Sequence, residues 1–394
     1  MVSHTRQYNF STFTNLCYRV IILIYWLYQT IFGPILFVTT FVLLQPLKLL
    51  SKKFFLAIVD TLYVLYMSSA GSWGDLAGHT FLLTGDDVSV IAGEESLLLL
   101  NHQTPVDIAV LMRCLHATPN AAASTMWVSD WLIQFIPYGW MAKCHNDFFL
   151  LQSVDAKRLK MFFKNSETSN ELVRLQKSIV DNFRSRNRKW VIVFPEGGFL
   201  SKRRSGSQRF ARKNDLPILE HVALPRSGAV QCILDTLGVD GKYPGKNGSC
   251  DNSAGFTALG PTTNRNSSDS CPIKWIIDVT IGYKQTMSCS EFIIGHRGRQ
   301  TIHVHYRIKP ASEIITSTPC NNGNYDVTKW LYELFYEKEE LLSYFYKHGK
   351  FPSENGTSPR VAPLYYRHII MVNIYVILGW AFIYNICSLC FSLF

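Results

Sequence analysis

Apolar positions in this chain fall into two kinds of run, long ones toward the ends and short ones in the middle. Val20 to Leu47 carries no charge and exceeds the roughly 20 residues needed to cross a bilayer, with Gly33-Pro34 near its centre. This predicts one kinked span or a re-entrant hairpin. Phe54 to Ala70 holds a single acid, Asp60, and is short for a span, so an interfacial helix or the second arm of a hairpin is expected. Ile369 to Phe394 is again free of charge and long enough to cross. A polar leader before the first run and the lack of a small-residue cleavage site argue against a cleaved signal peptide.

Between these ends the runs shorten and alternate. Strands are predicted at Ser96 to Asn101, Ser124 to Val128, Phe148 to Leu151, Trp190 to Phe194, Val222 to Leu224, Trp275 to Tyr283 and Thr301 to Ile308. Helical periodicity predicts helices over Asn170 to Arg184, Ser205 to Lys213 and Asp326 to His348. Alternation of this kind implies the α/β class, with a mixed, largely parallel sheet flanked by helices and membrane helices at both ends of the chain. The expected organisation is an anchoring segment over 1–70, a catalytic domain over 71–355 and a C-terminal linker with a transmembrane helix over 356–394. Within the domain, Gly238 to Cys271 is rich in Gly, Asn, Ser and Asp and reads as a mobile insertion.

Charge changes this picture only modestly. Bases outnumber acids, 39 Lys and Arg against 29 Asp and Glu, and cluster at Arg184 to Lys189 and Lys202 to Lys213. No recognition helix, zinc finger or RNA-binding motif accompanies them, so anionic lipid or the phosphates of a cofactor are expected rather than nucleic acid. Near an anionic surface each such base gains about 1 kcal/mol. Bases following the first apolar run (Lys48, Lys52, Lys53) and preceding the last (Lys347, Lys350, Arg360, Arg367) place the central domain in the cytosol. The ten cysteines show neither a disulfide framework nor metal-site spacing. His303 and His305 share one strand face, but two histidines with no third ligand nearby imply no metal.

The candidate chemistry lies at two strand ends. Leu97 to Asp107 reads Leu-Leu-Leu-Leu-Asn-His-Gln-Thr-Pro-Val-Asp, so a buried strand delivers His102 to a sheet edge. Pro105 suits the start of a helix that lets Asp107 fold back onto the imidazole. A carboxylate on one ring nitrogen fixes the tautomer and leaves the other to take a proton. A capping Asp beside a surface His is the bland alternative for such a pair taken alone. Trp190 to Phe194 is a second buried strand, and Pro195, Glu196, Gly197 and Gly198 follow it as an acidic, flexible corner. Ser72, Ser124 and Ser227 lack the strand-turn context of a nucleophile elbow, which disfavours a serine hydrolase.

Together, Asn101-His102 with Asp107 and the later Phe194-Pro195-Glu196-Gly197 resemble the glycerolipid (PlsC-like) acyltransferase family. The variants Leu224-Pro-Arg-Ser-Gly-Ala229 and Thr301-Ile-His-Val-His-Tyr-Arg307 are most similar to its lysophosphatidylglycerol acyltransferase subgroup. The resemblance implies His102 as base, Asp107 as its orienting partner, and Glu196 and Gly197 at the acyl-acceptor side. It implies an endoplasmic reticulum membrane enzyme that esterifies a lysophospholipid hydroxyl, with acyl-CoA as co-substrate and no permanently bound cofactor. A thioester is already activated, so direct attack by the hydroxyl needs no acyl-enzyme. The family's second motif normally brings an arginine, whereas Asn146 to Gln152 contains none. Lys202, Arg203 and Arg204, or Arg158, are expected to supply the phosphate contact instead. The missing arginine leaves open a monoacylglycerol acceptor and a non-catalytic membrane scaffold on the same fold.

Overall fold

The computed structural model describes residues 3–392 except 117, 152–167, 240–271, 319–324 and 353–357. The insertion expected over Gly238 to Cys271 lies almost wholly outside the described residues, and Arg158 lies outside them too. The helices that frame the site are α1 (Ser3–Leu43), α2 (Lys52–Gly71), α3 (Val106–His116), α4 (Pro137–His145), α5 (Thr168–Ser178), α6 (Leu200–Lys213), α7 (Gly228–Leu237), α8 (Val327–His348) and α9 (Tyr366–Ser392). The strands are β1 (Thr80–Gly85), β2 (Ser96–Leu100), β3 (Thr125–Asp130), β4 (Phe148–Leu150), β5 (Trp190–Val193), β6 (Trp275–Tyr283), β7 (Thr301–Pro310) and β8 (Arg360–Val361).

Among the described residues these strands form one eight-stranded sheet in the order β4-β3-β5-β2-β6-β7-β1-β8. The five strands from β4 to β6 run parallel, β7 turns back antiparallel to β6, and β1 runs parallel to β7. Helices cover both faces, which is why β2 and β5 are buried at every position. Alternate residues serve opposite cores. Leu97, Leu99, Val191 and Val193 pack with Leu175, Ile233 and Leu334 from α5, α7 and α8. Leu98, Leu100 and Ile192 face Val59, Tyr63, Val110 and Leu111 from α2 and α3.

Among the described residues, three helices are long and apolar enough to cross a membrane: Thr14–Leu43, Lys52–Leu76 and Tyr366–Leu389. The first is one continuous helix through Pro34, not a hairpin. Gly33 lets it touch α2 closely; Tyr66 donates to the Gly33 carbonyl at 2.8 Å, and a Cβ there would stand 2.5 Å from the Tyr66 ring. The second, expected as an interfacial helix or the second arm of a hairpin, follows α1 and touches it at Gly33, and 56% of its most apolar stretch is buried inside the protein, against α3, α9 and α4. The anchor assigned to 1–70 therefore also builds the core.

Other departures have local causes. Val222 to Leu224 has a strand's composition but makes no ladder, since its backbone donors are captured by side chains: Val222 by Glu339 (3.1 Å), Ala223 by Glu196 (2.9 Å) and Leu224 by Ser207 (2.8 Å). β1 and β8 are strands that no apolar run predicts, because they form the sheet's margin, where half-exposed residues interrupt the pattern; β8 lies in the segment read as a linker. The helix expected over Asn170 to Arg184 is α5 followed by a wider π turn over Ile179–Arg184. The helix expected over Ser205 to Lys213 begins earlier, at Leu200. By contrast α8 keeps its expected bounds. It starts after Asp326, whose side chain accepts from Lys329 N at 3.0 Å, and ends before Gly349 at φ 72°.

Behind β6, α8 is docked by a buried ion pair. Lys338 and Asp278 are both fully buried and in contact, Lys338 also donates to the Val279 carbonyl at 2.7 Å, and Arg307 bridges Asp278 to Glu337. Removing one partner of such a pair costs about 3–5 kcal/mol, because the other is left buried and uncompensated. Asp278→Asn is therefore expected to lower the melting temperature in detergent by several degrees. Adding Lys338→Met to it should recover most of that loss in the same thermal unfolding measurement.

Candidate active site

β2 ends at Leu100, and the next residue continues the sheet with its side chain. Asn101 donates to the Ile281 carbonyl at 3.0 Å and accepts from Ile281 N at 2.8 Å, imitating a backbone ladder pair with β6. This frees the main chain to turn, and His102 leaves the sheet edge. Thr104 then caps α3, accepting from Val106 N at 2.9 Å. The short helical entry brings Asp107 back, with its Oδ2 2.9 Å from His102 Nδ1. That contact assigns the proton to Nδ1 and leaves Nε2 as the basic nitrogen.

Asp107 is completely buried and fully solvated by protein. Its Oδ2 also accepts from the backbone of Gln103 (2.6 Å) and Thr104 (3.0 Å), and its Oδ1 accepts from the Tyr283 hydroxyl at 2.5 Å. Burial, and then the Asp107 charge, hold the Tyr283 hydroxyl well above its ordinary pKa, so it stays a donor. The buried imidazole packs against two aromatic rings, with centroids 4.3 Å from Phe194 and 4.5 Å from Phe199.

The corner after β5 closes the site from the other side. Gly197 and Gly198 take φ values of 69° and 145°, which a side chain would strain, and the turn brings Leu200 N to the His102 carbonyl at 2.7 Å. The resemblance places Glu196 toward the acceptor. Instead its carboxylate is wholly buried and points inward: Oε1 accepts from His102 N at 2.7 Å and Oε2 from Ala223 N at 2.9 Å. Burial pushes its pKa up to about 8 against the pull of those two backbone donors. Arg203 is half-buried and donates to the Glu196 carbonyl at 3.1 Å, whereas Lys202 and Arg204 are exposed.

The segment in place of the second motif is a structural joint. Asp147 accepts from the Tyr63 hydroxyl (2.7 Å), Trp127 N (3.2 Å) and His145 Nδ1 (3.1 Å), and Tyr63 stacks on His145 with ring centroids 3.8 Å apart. Burial, aided by Arg188, lowers the His145 pKa to about 4, keeping it neutral. The bases at Arg184 to Lys189, expected to meet anionic lipid or cofactor phosphate, are used internally. Arg184 donates to the Thr236 carbonyl at 2.7 Å, Arg186 to that of His145 at 2.6 Å, Arg188 to that of Asn146 at 3.2 Å, and Lys189 pairs with Glu95 at 2.6 Å. His303 and His305 pack on Phe345 and Phe351, each with ring centroids 5.1 Å apart.

Sequence reasoning missed Tyr283, Gln103 and Tyr346. Tyr283 ends a long apolar strand and has the surroundings of a core residue, and Tyr346, which donates to Gln103 Oε1 at 3.1 Å, sits on a helix distant in sequence. Only the parallel pairing of β2 with β6 brings the first of them to the histidine.

On this geometry, Tyr283→Phe deprives Asp107 of a donor, so the carboxylate holds the imidazolium more tightly and the acid limb of the kcat/KM profile moves to higher pH, by up to about one unit. A profile that drops in height without moving would show a purely structural role for the hydroxyl. Glu196→Gln sets an amide NH2 against one of two backbone N–H groups, at a cost of about 1–3 kcal/mol. Because burial raises Glu196 from its ordinary 4.5 to about 8, its contribution to stability is full below 4.5 and is lost as pH rises through 8. The melting temperature of the native protein should fall across that window, and Glu196→Gln should flatten the fall.

Comparison with known proteins identifies the family of the chain. The chain matches the family model "Acyltransferase" over residues 84–236 and "Acyltransferase C-terminus" over 296–373. It is 36% identical to acyl-CoA:lysophosphatidylglycerol acyltransferase 1 of Homo sapiens over 343 residues, covering 86% of this chain and 84% of that one. Identity to the protein of the same name from Mus musculus is 37% with the same coverage. Lysocardiolipin acyltransferase 1 of Mus musculus is more distant, at 23% over 311 residues, covering 77% of this chain and 68% of that one. With His102 and Asp107 paired at a sheet edge inside the matched region, the chain belongs to the glycerolipid, PlsC-like acyltransferase family.

Proposed function

We propose that this protein transfers the acyl group of a long-chain acyl-CoA to the free hydroxyl of a lysophospholipid, with lysophosphatidylglycerol or lysophosphatidylethanolamine as the acceptor class. The observation that carries the reading is the buried His102–Asp107 pair, whose Nδ1 is engaged and whose Nε2 remains for an incoming hydroxyl. The names of the relatives at 36% and 37% identity support both the thioester donor and the acceptor class.

In this mechanism Nε2 of His102 accepts the acceptor's hydroxyl proton as the oxygen attacks the thioester carbonyl, a contribution worth about 10² to 10⁴ in rate. Asp107, with four donors around it, holds the imidazolium that results. The tetrahedral intermediate collapses with cleavage of the C–S bond, and the imidazolium returns its proton to the departing thiolate of CoA. Glu196 acts as a positioning residue through the His102 and Ala223 amides, and Gly197 and Gly198, at positive φ, form the turn beside the ring where substrate binds. Lys202, Arg203 and Arg204, at the start of α6, meet the phosphates of acceptor and CoA in place of the motif-two arginine. We assign the enzyme to the endoplasmic reticulum membrane, with this domain in the cytosol.

The test is acyl transfer by the purified, detergent-solubilised protein to a panel of lysophospholipids and monoacylglycerol. Transfer to a phosphate-bearing acceptor is expected, reduced by at least about 10² in a folded His102→Ala variant. Transfer confined to monoacylglycerol would overturn the acceptor assignment. A folded native protein inactive across the panel would favour the scaffold reading.

A further inference from the structure

The parallel register places a second feature beside the site. Leu99 of β2, Val193 of β5 and Val128 of β3 share one row of the sheet, so the chain leaves the three parallel strands at the same sheet edge, toward His102, Glu196 and Trp131. The 3-10 turn that follows β3, Trp131–Phe135, and the start of α4 therefore lie two strand spacings, about 10 Å, along the edge from His102. This stretch exposes four large apolar side chains: Leu132 at 55%, Phe135 at 60%, Ile136 at 47% and Trp140 at 39%.

The patch is preformed. Asp130 caps the turn, accepting from Leu132 N at 2.8 Å, and Trp131 packs edge-on to Phe135 with ring centroids 4.8 Å apart. Gly139 lies so close to the turn that a Cβ would stand 1.8 Å from the Ile133 carbonyl, which locks α4 against it. The patch also neighbours a helix suited to lipid. α4 packs along α1, and α1 exposes Leu27, Ile31 and Ile35 along a segment long and apolar enough to cross a bilayer. On its inner side α4 is held to α2 by Tyr138, which donates to the Met67 sulfur at 3.2 Å. The outward side, with Ile136 and Trp140, is left for solvent or lipid.

We propose that the Leu132–Trp140 segment is a bilayer-seated wedge, with Leu132, Phe135, Ile136 and Trp140 among the lipid acyl chains, holding the His102 edge of the sheet at the membrane surface. The occupant is the lipid bilayer itself, because the patch adjoins a helix packed against α1, which is long and apolar enough to cross a membrane, and it is rigidly presented. This deepens the acyltransferase reading and rests on it for its purpose, while the wedge's position can be measured without turnover.

The measurement uses the full chain in nanodiscs of phosphatidylcholine and phosphatidylglycerol, with every native cysteine except the buried Cys114 and Cys232 replaced by Ser. An environment-sensitive fluorophore is placed on Phe135→Cys, and on Asn214→Cys as an exposed comparison. At position 135 emission should shift to the blue, lipid carrying a doxyl group on its acyl chain should quench it, and iodide should fail to. Quenching by iodide equal to that at position 214 would overturn the wedge. Shelter from iodide without quenching by doxyl lipid would also overturn it, by showing a protein contact instead. In active enzyme, Phe135→Asp should raise KM for bilayer-borne acceptor about tenfold and leave kcat for a water-soluble short-chain acceptor unchanged. Equal losses with both acceptors would equally count against the wedge.

Discussion

The candidate site depends on one buried carboxylate. Glu196 takes the amide of His102 with one oxygen and that of Ala223 with the other, while its own carbonyl receives Arg203. Three stretches of chain far apart in sequence thus meet at a single side chain. The backbone reinforces the knot: Leu200 N reaches the His102 carbonyl and Arg226 N that of Pro195. Burial alone would expel a charge from this position, as its raised pKa records, and the two amide donors oppose that cost. The arrangement holds only if the three loops arrive together, which makes the site a product of the sheet and not of a local motif.

Buried polar groups act as joints elsewhere too. Asp147 fastens α2 to the sheet through Tyr63 and Trp127, and Asp278 fastens α8 through Lys338. Arg113 pairs with Asp75 at 2.6 Å and donates to the Ala362 and Pro363 carbonyls at 2.9 and 2.7 Å, fixing the path into α9. Ion pairs of this kind add little net stability, since desolvation cancels most of the attraction, but their geometry admits few alternatives. They hold the helices with membrane-spanning character in one relation to the sheet edge that carries His102. They also explain much of the positive charge: several of the bases counted in the sequence face carbonyls and carboxylates inside the protein, and α6 carries many of those left for solvent.

The division between what is legible in the sequence and what is not follows the range of each interaction. Buried strands such as Ser96–Leu100 and Trp190–Val193 announce themselves as unbroken apolar runs, and helices such as Val327–His348 as a periodic stripe with a capping Asp and a terminal Gly. Marginal strands such as Arg360–Val361 carry no such signal, because exposed residues there need no fixed pattern. Val222 to Leu224 has the composition of a strand, yet Glu339, Glu196 and Ser207 take the hydrogen bonds a ladder would need. That competition is decided by side chains contributed from other parts of the fold.

The sequence by itself determined the α/β class and the apolar ends, and it offered His102 and Asp107 as a pair one helical entry turn apart, a contact that the structure then showed at 2.9 Å. Tertiary structure alone decided that Tyr283 completes the shell of Asp107, that Glu196 faces inward, and that Phe54 to Ala70 doubles as core. The reason is physical: strand register and helix docking fix the positions of residues from 27 to 176 apart in the chain, and the hydrogen bonds of a buried carboxylate are set by whatever donors that docking delivers.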